Sequence, residues 1–259
     1  MSRKKKIHGT CSFFGFGKKI KPNNFIVHSK GLGARGIAFK LEDDTTFTSF
    51  IRFLKNTVVH KLYSGVMHLV DGKGEHRKPI FKKDDGEAAD NVYVKRFNLT
   101  IRDIFNKMRE DSYVIPSDCN PDKQDYPTVF ETGIYLLGEI YGKGVQDLTY
   151  GTTEPEFRLF DIYVGEPGKG RYLDYDEKVR VCTDYNIPMV PLIYRGPFSK
   201  DKILEWTDGK ETVSGRKLHI REGVVIRPVK ERNDSKLGRV MLKSVSTDYL
   251  FRKNATEFN

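Results

Sequence analysis

The 259-residue sequence predicts an α+β fold with much antiparallel sheet. Two observations predict it. Short runs of aromatic and β-branched residues, separated by Gly- and Pro-bearing turns, recur along the chain. Between them, a few stretches change period and place apolar residues at i, i+3, i+4 and i+7. No internal repeat or low-complexity tract interrupts the pattern.

The elements follow in order. Cys11 to Phe16 and Asn24 to His28 read as strands. A turn rich in Gly31, Gly33 and Gly36 leads to a further strand over 36–41. Phe47, Phe50, Ile51, Leu54, Val58 and Leu62 carry helical spacing, so a helix is expected from about Thr46 to Tyr63. Residues 71–97 are charged and Gly-bearing and read as a surface loop or hairpin. Asn98 is placed to cap a second helix with Ile101, Ile104, Phe105 and Met108 on one face. Residues 113–130, with Pro116, Pro121 and Pro127, look irregular. Strands are then expected at Gly133 to Tyr141, Phe157 to Val164, Val224 to Pro228 and Val240 to Val245. Helices are expected at Asp174 to Tyr185 and Asp201 to Trp206, and extended chain from Pro188 to Tyr194.

The formal charge is +10 and the isoelectric point about 9.3. Lys and Arg in excess neutralise phosphates and release their counterions, so a polyanionic partner is expected. The 35 acidic residues dilute that signal. Cys11, Cys119 and Cys182 are odd in number and far apart, which argues against a disulfide framework or zinc cluster and fits a reducing cytoplasm. No apolar run approaches the roughly 18 residues of a membrane span, and no secretory signal follows the basic start.

Candidate chemistry begins with Lys6 in Lys6-Ile7-His8-Gly9-Thr10. A lysine with the ordinary pKa of about 10.4 is only about 0.04% neutral at pH 7. Making it a nucleophile takes about 4 kcal/mol, supplied by desolvation or a nearby cation. Glu139 sits between Gly138 and Ile140 on an apolar strand and suits a ribose hydroxyl or a metal-bound water. Phe160, in Phe157-Arg158-Leu159-Phe160-Asp161-Ile162, offers a ring on which a base can stack. Glu222 and Arg227 flank a β-branched strand, and Lys243 closes Arg239-Val240-Met241-Leu242-Lys243. A covalent lysine followed by acids and bases on later strands is a recipe for nucleotidyl transfer.

In this order the segments resemble the covalent nucleotidyltransferases, specifically ATP-dependent RNA ligases of the RNA ligase 2 kind. Lys6-Ile7-His8-Gly9-Thr10 is similar to the adenylated-lysine motif. Gly138-Glu139 followed by Gly142-Lys143-Gly144-Val145-Gln146 resembles the third motif. Phe160 stands at the adenine-stacking position, Glu222-Gly223-Val224-Val225-Ile226-Arg227-Pro228 resembles the fourth motif, and Lys243 lies in the fifth. Lys30 is the nearest match to the second-motif arginine, Cys11 stands where Asn is frequent, and Val245 replaces a second lysine.

The resemblance implies a nucleotidyltransferase (ATP-grasp-like ligase) fold of two packed, mostly antiparallel sheets with flanking helices. Residues 1–259 are expected to form one adenylyltransferase domain with an insertion around 65–125; relatives usually carry an additional domain, but the five residues before Lys6 and the sixteen after Lys243 are too few for a separate oligonucleotide-binding domain. Lys6, Glu139, Glu222 and Lys243 would be catalytic. Ile7, His8, Gly9, Lys30, Phe160 and Arg227 would join them in binding the nucleotide. Glu139 and Glu222 would hold Mg²⁺ or Mn²⁺ through water. The expected reaction seals 5′-phosphate and 3′-hydroxyl RNA ends through a lysyl-AMP and an RNA-adenylate, with a further nucleic-acid-binding domain or subunit as a possible partner. Two alternatives are the same fold with another acceptor, as in a capping guanylyltransferase or DNA ligase core, and a non-catalytic RNA-binding module.

Overall fold

A computed structural model describes residues 10–20, 24–29, 37–39, 92–116, 125–145, 148–236 and 238–252. Its centre is an antiparallel sheet, six-stranded among the described residues. The strands are β1 (Thr10–Phe16), β2 (Phe25–Ser29), β3 (Ile37–Phe39), β4 (Ile134–Tyr141), β5 (Glu156–Val164) and β6 (Arg171–Tyr172), in spatial order β3-β2-β1-β4-β5-β6. Two smaller antiparallel pairs follow: β7 (Gly223–Ile226) with β10 (Leu242–Val245), and β8 (Asn233–Asp234) with β9 (Gly238–Arg239). The expected α+β class and antiparallel sheets are what the chain forms. The helix expected at 46–63 and the glycine turn at 30–36 lie outside the described residues.

Strand alternation divides the central sheet into two faces. Phe14, Phe16, Ile134, Leu136 and Ile140 point into the main core. There they meet α1 (Val92–Arg96), a π-helical turn (Phe97–Ile101) and α2 (Arg102–Glu110). Phe97, Ile101, Phe105 and Met108 are fully buried, and Phe16 stacks on Phe105 at 5.2 Å between ring centres. Burial of each such side chain contributes about 1.5–3 kcal/mol. The helix expected from Asn98 therefore starts earlier, at Val92, and Asn98 is exposed within the π turn rather than a cap. Steps of four residues drift by about 40° per step on an α-helix. The wider π turn offsets that drift and keeps Phe97, Ile101 and Phe105 on the core.

The stretch 113–130 is not wholly irregular. Thr128 caps the short α3 (Val129–Thr132) in a capping box with Glu131, a Thr-x-x-Glu signal that the prolines obscured. α4 (Tyr175–Asp184) buries Lys178, Val181 and Cys182, and burial pushes the Cys182 thiol up to about 12. α5 (Lys200–Thr207) covers the back of the β7/β10 pair, where the Thr207 and Ser244 hydroxyls meet at 2.6 Å. α6 (Thr247–Leu250) follows, capped by Ser246. Pro188–Tyr194 forms no full strand; Met189 bridges Leu159 in parallel. Among the described residues, no helix is long and apolar enough to cross a membrane.

Candidate active site

The opposite face of the central sheet carries the candidate site. Glu139 lies on β4, with Cys11 of β1 and Arg158 of β5 as its cross-strand partners. Directly opposed residues share a face, so the three side chains sit on one surface. Gly138 precedes Glu139 because nothing larger fits. A Cβ there would lie 2.2 Å from the Phe157 ring and 2.5 Å from the Arg158 carbonyl oxygen.

The β4–β5 ladder slips at this point. Leu137 pairs with Asp161, but Gly138 pairs with Leu159, so Phe160 is the extra residue of a bulge. Before the bulge Phe157 and Leu159 enter the core; after it Ile162 and Val164 do. The change of phase puts both Phe160 and Asp161 on the face of Glu139. Phe160 stays half-buried against a second apolar cluster of Ile20, Ile26, Tyr135, Leu137 and Tyr163.

Beneath Phe160 lies a lattice of charges. Arg227, just past β7, donates through Nη1 to Asp161 and through Nη2 to the Phe160 carbonyl at 2.9 Å. Arg239 donates to both Asp161 oxygens at 2.7 and 3.1 Å. It also donates to both Glu231 oxygens at 2.7 Å each and lies 3.6 Å above the Tyr172 ring. Burial alone would lower the Arg239 pKa; its hydrogen bonds to Glu231 and Asp161 outweigh that and raise it. Lys178, only 2% exposed, donates to the same Phe160 carbonyl at 2.7 Å.

Glu222 and Lys243 meet on the β7/β10 pair, where Lys243 Nζ is 2.6 Å from Glu222 Oε1. Gly223 permits this junction. Its φ is +151°, and a Cβ would lie 2.1 Å from the Ser244 carbonyl oxygen. β7 thus carries Glu222 at one end and Arg227 at the other, about 17 Å apart along an extended strand. Arg227 fastens the second end to β5.

The structure therefore joins Glu139, Phe160 and Arg227 through the central sheet, and Glu222 with Lys243 on the smaller one. Lys6, Ile7, His8, Gly9 and Lys30 lie outside the described residues. Arg158, next to Glu139, is a clamp: its guanidinium donates to Tyr141 Oη, the Met189 carbonyl and the Val213 carbonyl at 3.0, 2.9 and 3.2 Å. The sequence reading did not single out Asp161, Lys178, Glu231 or Arg239 as a group. Only Lys178 leaves a local signal, since it shares the i, i+3, i+4 stripe of Val181 and Cys182.

A loop after α5 braces Arg158 through Val213, and Glu211 holds that loop in shape. Its buried carboxylate accepts from the Ser214 hydroxyl and from the Ser214 and Leu218 amides, each amide at 2.9 Å. Burial acts to raise the Glu211 pKa, but these donors outweigh it and the net shift is downward. A depressed carboxylate stabilises the fold above its unfolded pKa, and that stability is lost as pH falls through the folded value. Glu211→Gln should cost about 1–3 kcal/mol at pH 7 through lost acceptors. It should also flatten the acid limb of a Tm-against-pH curve below the ordinary glutamate range; an unchanged limb would show that the cage does not hold Glu211 ionised.

Residues 83–245 match the RNA ligase family. That span includes Glu139, Phe160, Glu222, Arg227 and Lys243. No curated protein matches the sequence. Solved structures of an RNA ligase from Naegleria gruberi share the fold. A lysine-to-alanine mutant with ATP and Mn superposes with a TM-score of 0.51 at 16% identity, covering 95% of this chain and 49% of that one. The same ligase with PPi, and a lysine-to-methionine mutant with AMP and Mn, give the same TM-score, identity and coverages. The chain thus spans about half the length of these relatives and shares their nucleotidyltransferase-type fold, and by its sequence match it belongs to the RNA ligase family.

Proposed function

We propose that this chain is an ATP-dependent RNA ligase that works through a lysyl-AMP. One observation carries the reading most. The β5 bulge sets Phe160 on the face of Glu139, and the segment running from Glu222 to Arg227 docks on the bulged residue. Three separated parts of the sequence thereby converge on one surface. The Naegleria gruberi structures with ATP and Mn, and with AMP and Mn, support a nucleotide and a divalent cation as ligands.

Lys6 is the proposed nucleophile. Its neutral amine attacks the α-phosphorus of ATP, a P–N bond forms, and the P–O bond to pyrophosphate breaks. The 5′-phosphate of an RNA strand then displaces the lysine and takes the AMP. Attack by a 3′-hydroxyl on that 5′-phosphate closes the phosphodiester and releases AMP. Each step is an in-line displacement, so positioning and charge neutralisation dominate. Phe160 stacks the adenine and Glu139 holds the ribose. Lys243 neutralises the α-phosphate, and Arg227 acts from its place on the Phe160 carbonyl. Ile7, His8, Gly9 and Lys30 complete the nucleotide site.

Among the described residues no three His, Cys, Asp or Glu side chains converge as a metal cage. Glu139 and Glu222 instead suit Mg²⁺ or Mn²⁺ kept largely hydrated and bound through water. Such a cation, when bound, neutralises charge on the phosphates. Cys182, buried in the main core and outside any disulfide, fits the reducing cytoplasm proposed for the chain. Residues 1–259 are proposed to act as one adenylyltransferase domain, with contacts to longer RNA supplied by a further domain or subunit.

The test is incubation with α-labelled ATP and a divalent cation. Label should enter the protein, vanish in Lys6→Ala, and pass to a 5′-phosphorylated RNA. Label retained by Lys6→Ala would sink the lysyl-AMP, and label from GTP rather than ATP would favour a capping enzyme.

A further inference from the structure

We infer that Lys178 is a positioning residue for the nucleotide base, acting through the Phe160 carbonyl on which its buried ammonium sits. The inference rests on Phe160 stacking the adenine, as proposed above.

The bulge takes Phe160 out of the β4–β5 register, and its carbonyl accepts from two cations instead. Lys178 Nζ reaches it at 2.7 Å from α4, and Arg227 Nη2 at 2.9 Å from the end of β7. One donor would satisfy the oxygen. Two donors from different elements fix the direction of the C=O bond. They therefore fix the peptide plane that follows Phe160 and constrain the direction in which its ring leaves the strand.

Stability alone gives no reason for a cation at this place. Lys178 is 2% exposed and lies on the apolar stripe of α4 beside Val181 and Cys182, where methionine would fill the space without desolvating a charge. Nζ also lies 5.5 Å from the centre of the Tyr175 ring. Asp161 lies between Arg227 and Arg239, Arg239 also holds Glu231, and the Glu231 amide donates to Asp174 Oδ1 at 2.6 Å, just ahead of α4. The helix bearing Lys178 and the lattice beneath Phe160 are thus tied to each other at two points.

A double-mutant cycle in the full chain tests this, with KM for ATP, kcat of self-adenylylation and Tm measured for each protein. Lys178→Met should raise KM for ATP about tenfold with kcat within about threefold of the parent, and Lys178→Arg should restore KM. Phe160→Leu should raise KM at least as much. The double variant should be no worse than Phe160→Leu alone, because both changes remove the same placement of the ring. Additive losses, or an unchanged KM in Lys178→Met, would overturn the positioning role while leaving the stacking reading intact. An unchanged KM in Phe160→Leu would overturn both. If Lys178→Met fails to fold, Lys178→Gln removes the charge with a polar end retained and carries the same comparison.

Discussion

Asp161→Ala is expected to be the most destabilising single change near the site, lowering Tm by about 6–20 °C. The magnitude follows from what the carboxylate neutralises. Asp161 is 2% exposed and accepts from Arg227 and from both terminal nitrogens of Arg239. Removing one partner of a buried ion pair costs about 3–5 kcal/mol, because the opposite charge is left in a poor solvent. For a domain of this size each kcal/mol moves Tm by about 2–4 °C. Arg239 keeps Glu231, so the penalty falls chiefly on Arg227, and with it on the joint between β7 and β5. Asp161→Asn keeps the shape and one acceptor oxygen and should lose less. The measurement is thermal unfolding of both variants. A Tm for Asp161→Ala within about 2 °C of the parent would mean that water already reaches the lattice and that the joint does not depend on it.

Asp161 also marks where sequence reading stops. The strands of the central sheet were legible because their apolar residues alternate and their ends carry Gly or Pro. Glu139, Phe160, Glu222, Arg227 and Lys243, which the structure places on its two sheets, stand out in the sequence as motifs in order, each weak by itself, whereas Lys6 lies outside the described residues. The bulge was not legible. A one-residue slip leaves no mark in composition, yet it alone puts Phe160 and Asp161 on the same face. Asp161 lies 66 residues from Arg227 and 78 from Arg239, and the partners of a charge so distant are set by tertiary packing. The helix at 92–110 was half-legible. Asn98 is a good cap by type, but Tyr93 and Phe97 pack against the core and carry the helix past it.

The second large effect is expected on activity with stability almost untouched. Lys243→Met should slow self-adenylylation about 10²–10³-fold, the loss seen when one preorganised donor to developing charge is removed. Lys243 and Glu222 form an ion pair in which both side chains are substantially exposed, 51% and 34%. Such pairs contribute about 0–1 kcal/mol to folding, so Tm should move by no more than about 4 °C. A large rate loss without a Tm change therefore assigns Lys243 to the chemistry, because the pair is too weak to act through the fold. Glu222→Gln separates the two partners. It frees Lys243 from its carboxylate and removes one of the two proposed water-mediated cation ligands. It should raise the divalent-cation concentration for half-maximal labelling, whereas Lys243→Met should leave that concentration near the parent value and lower the rate at saturation. With those two outcomes the pair would be a resting arrangement, each charge holding the other until phosphate and cation take their places. Parent-like labelling by Lys243→Met would show that the α-phosphate is neutralised elsewhere, and a Tm loss above about 10 °C would make the pair structural instead.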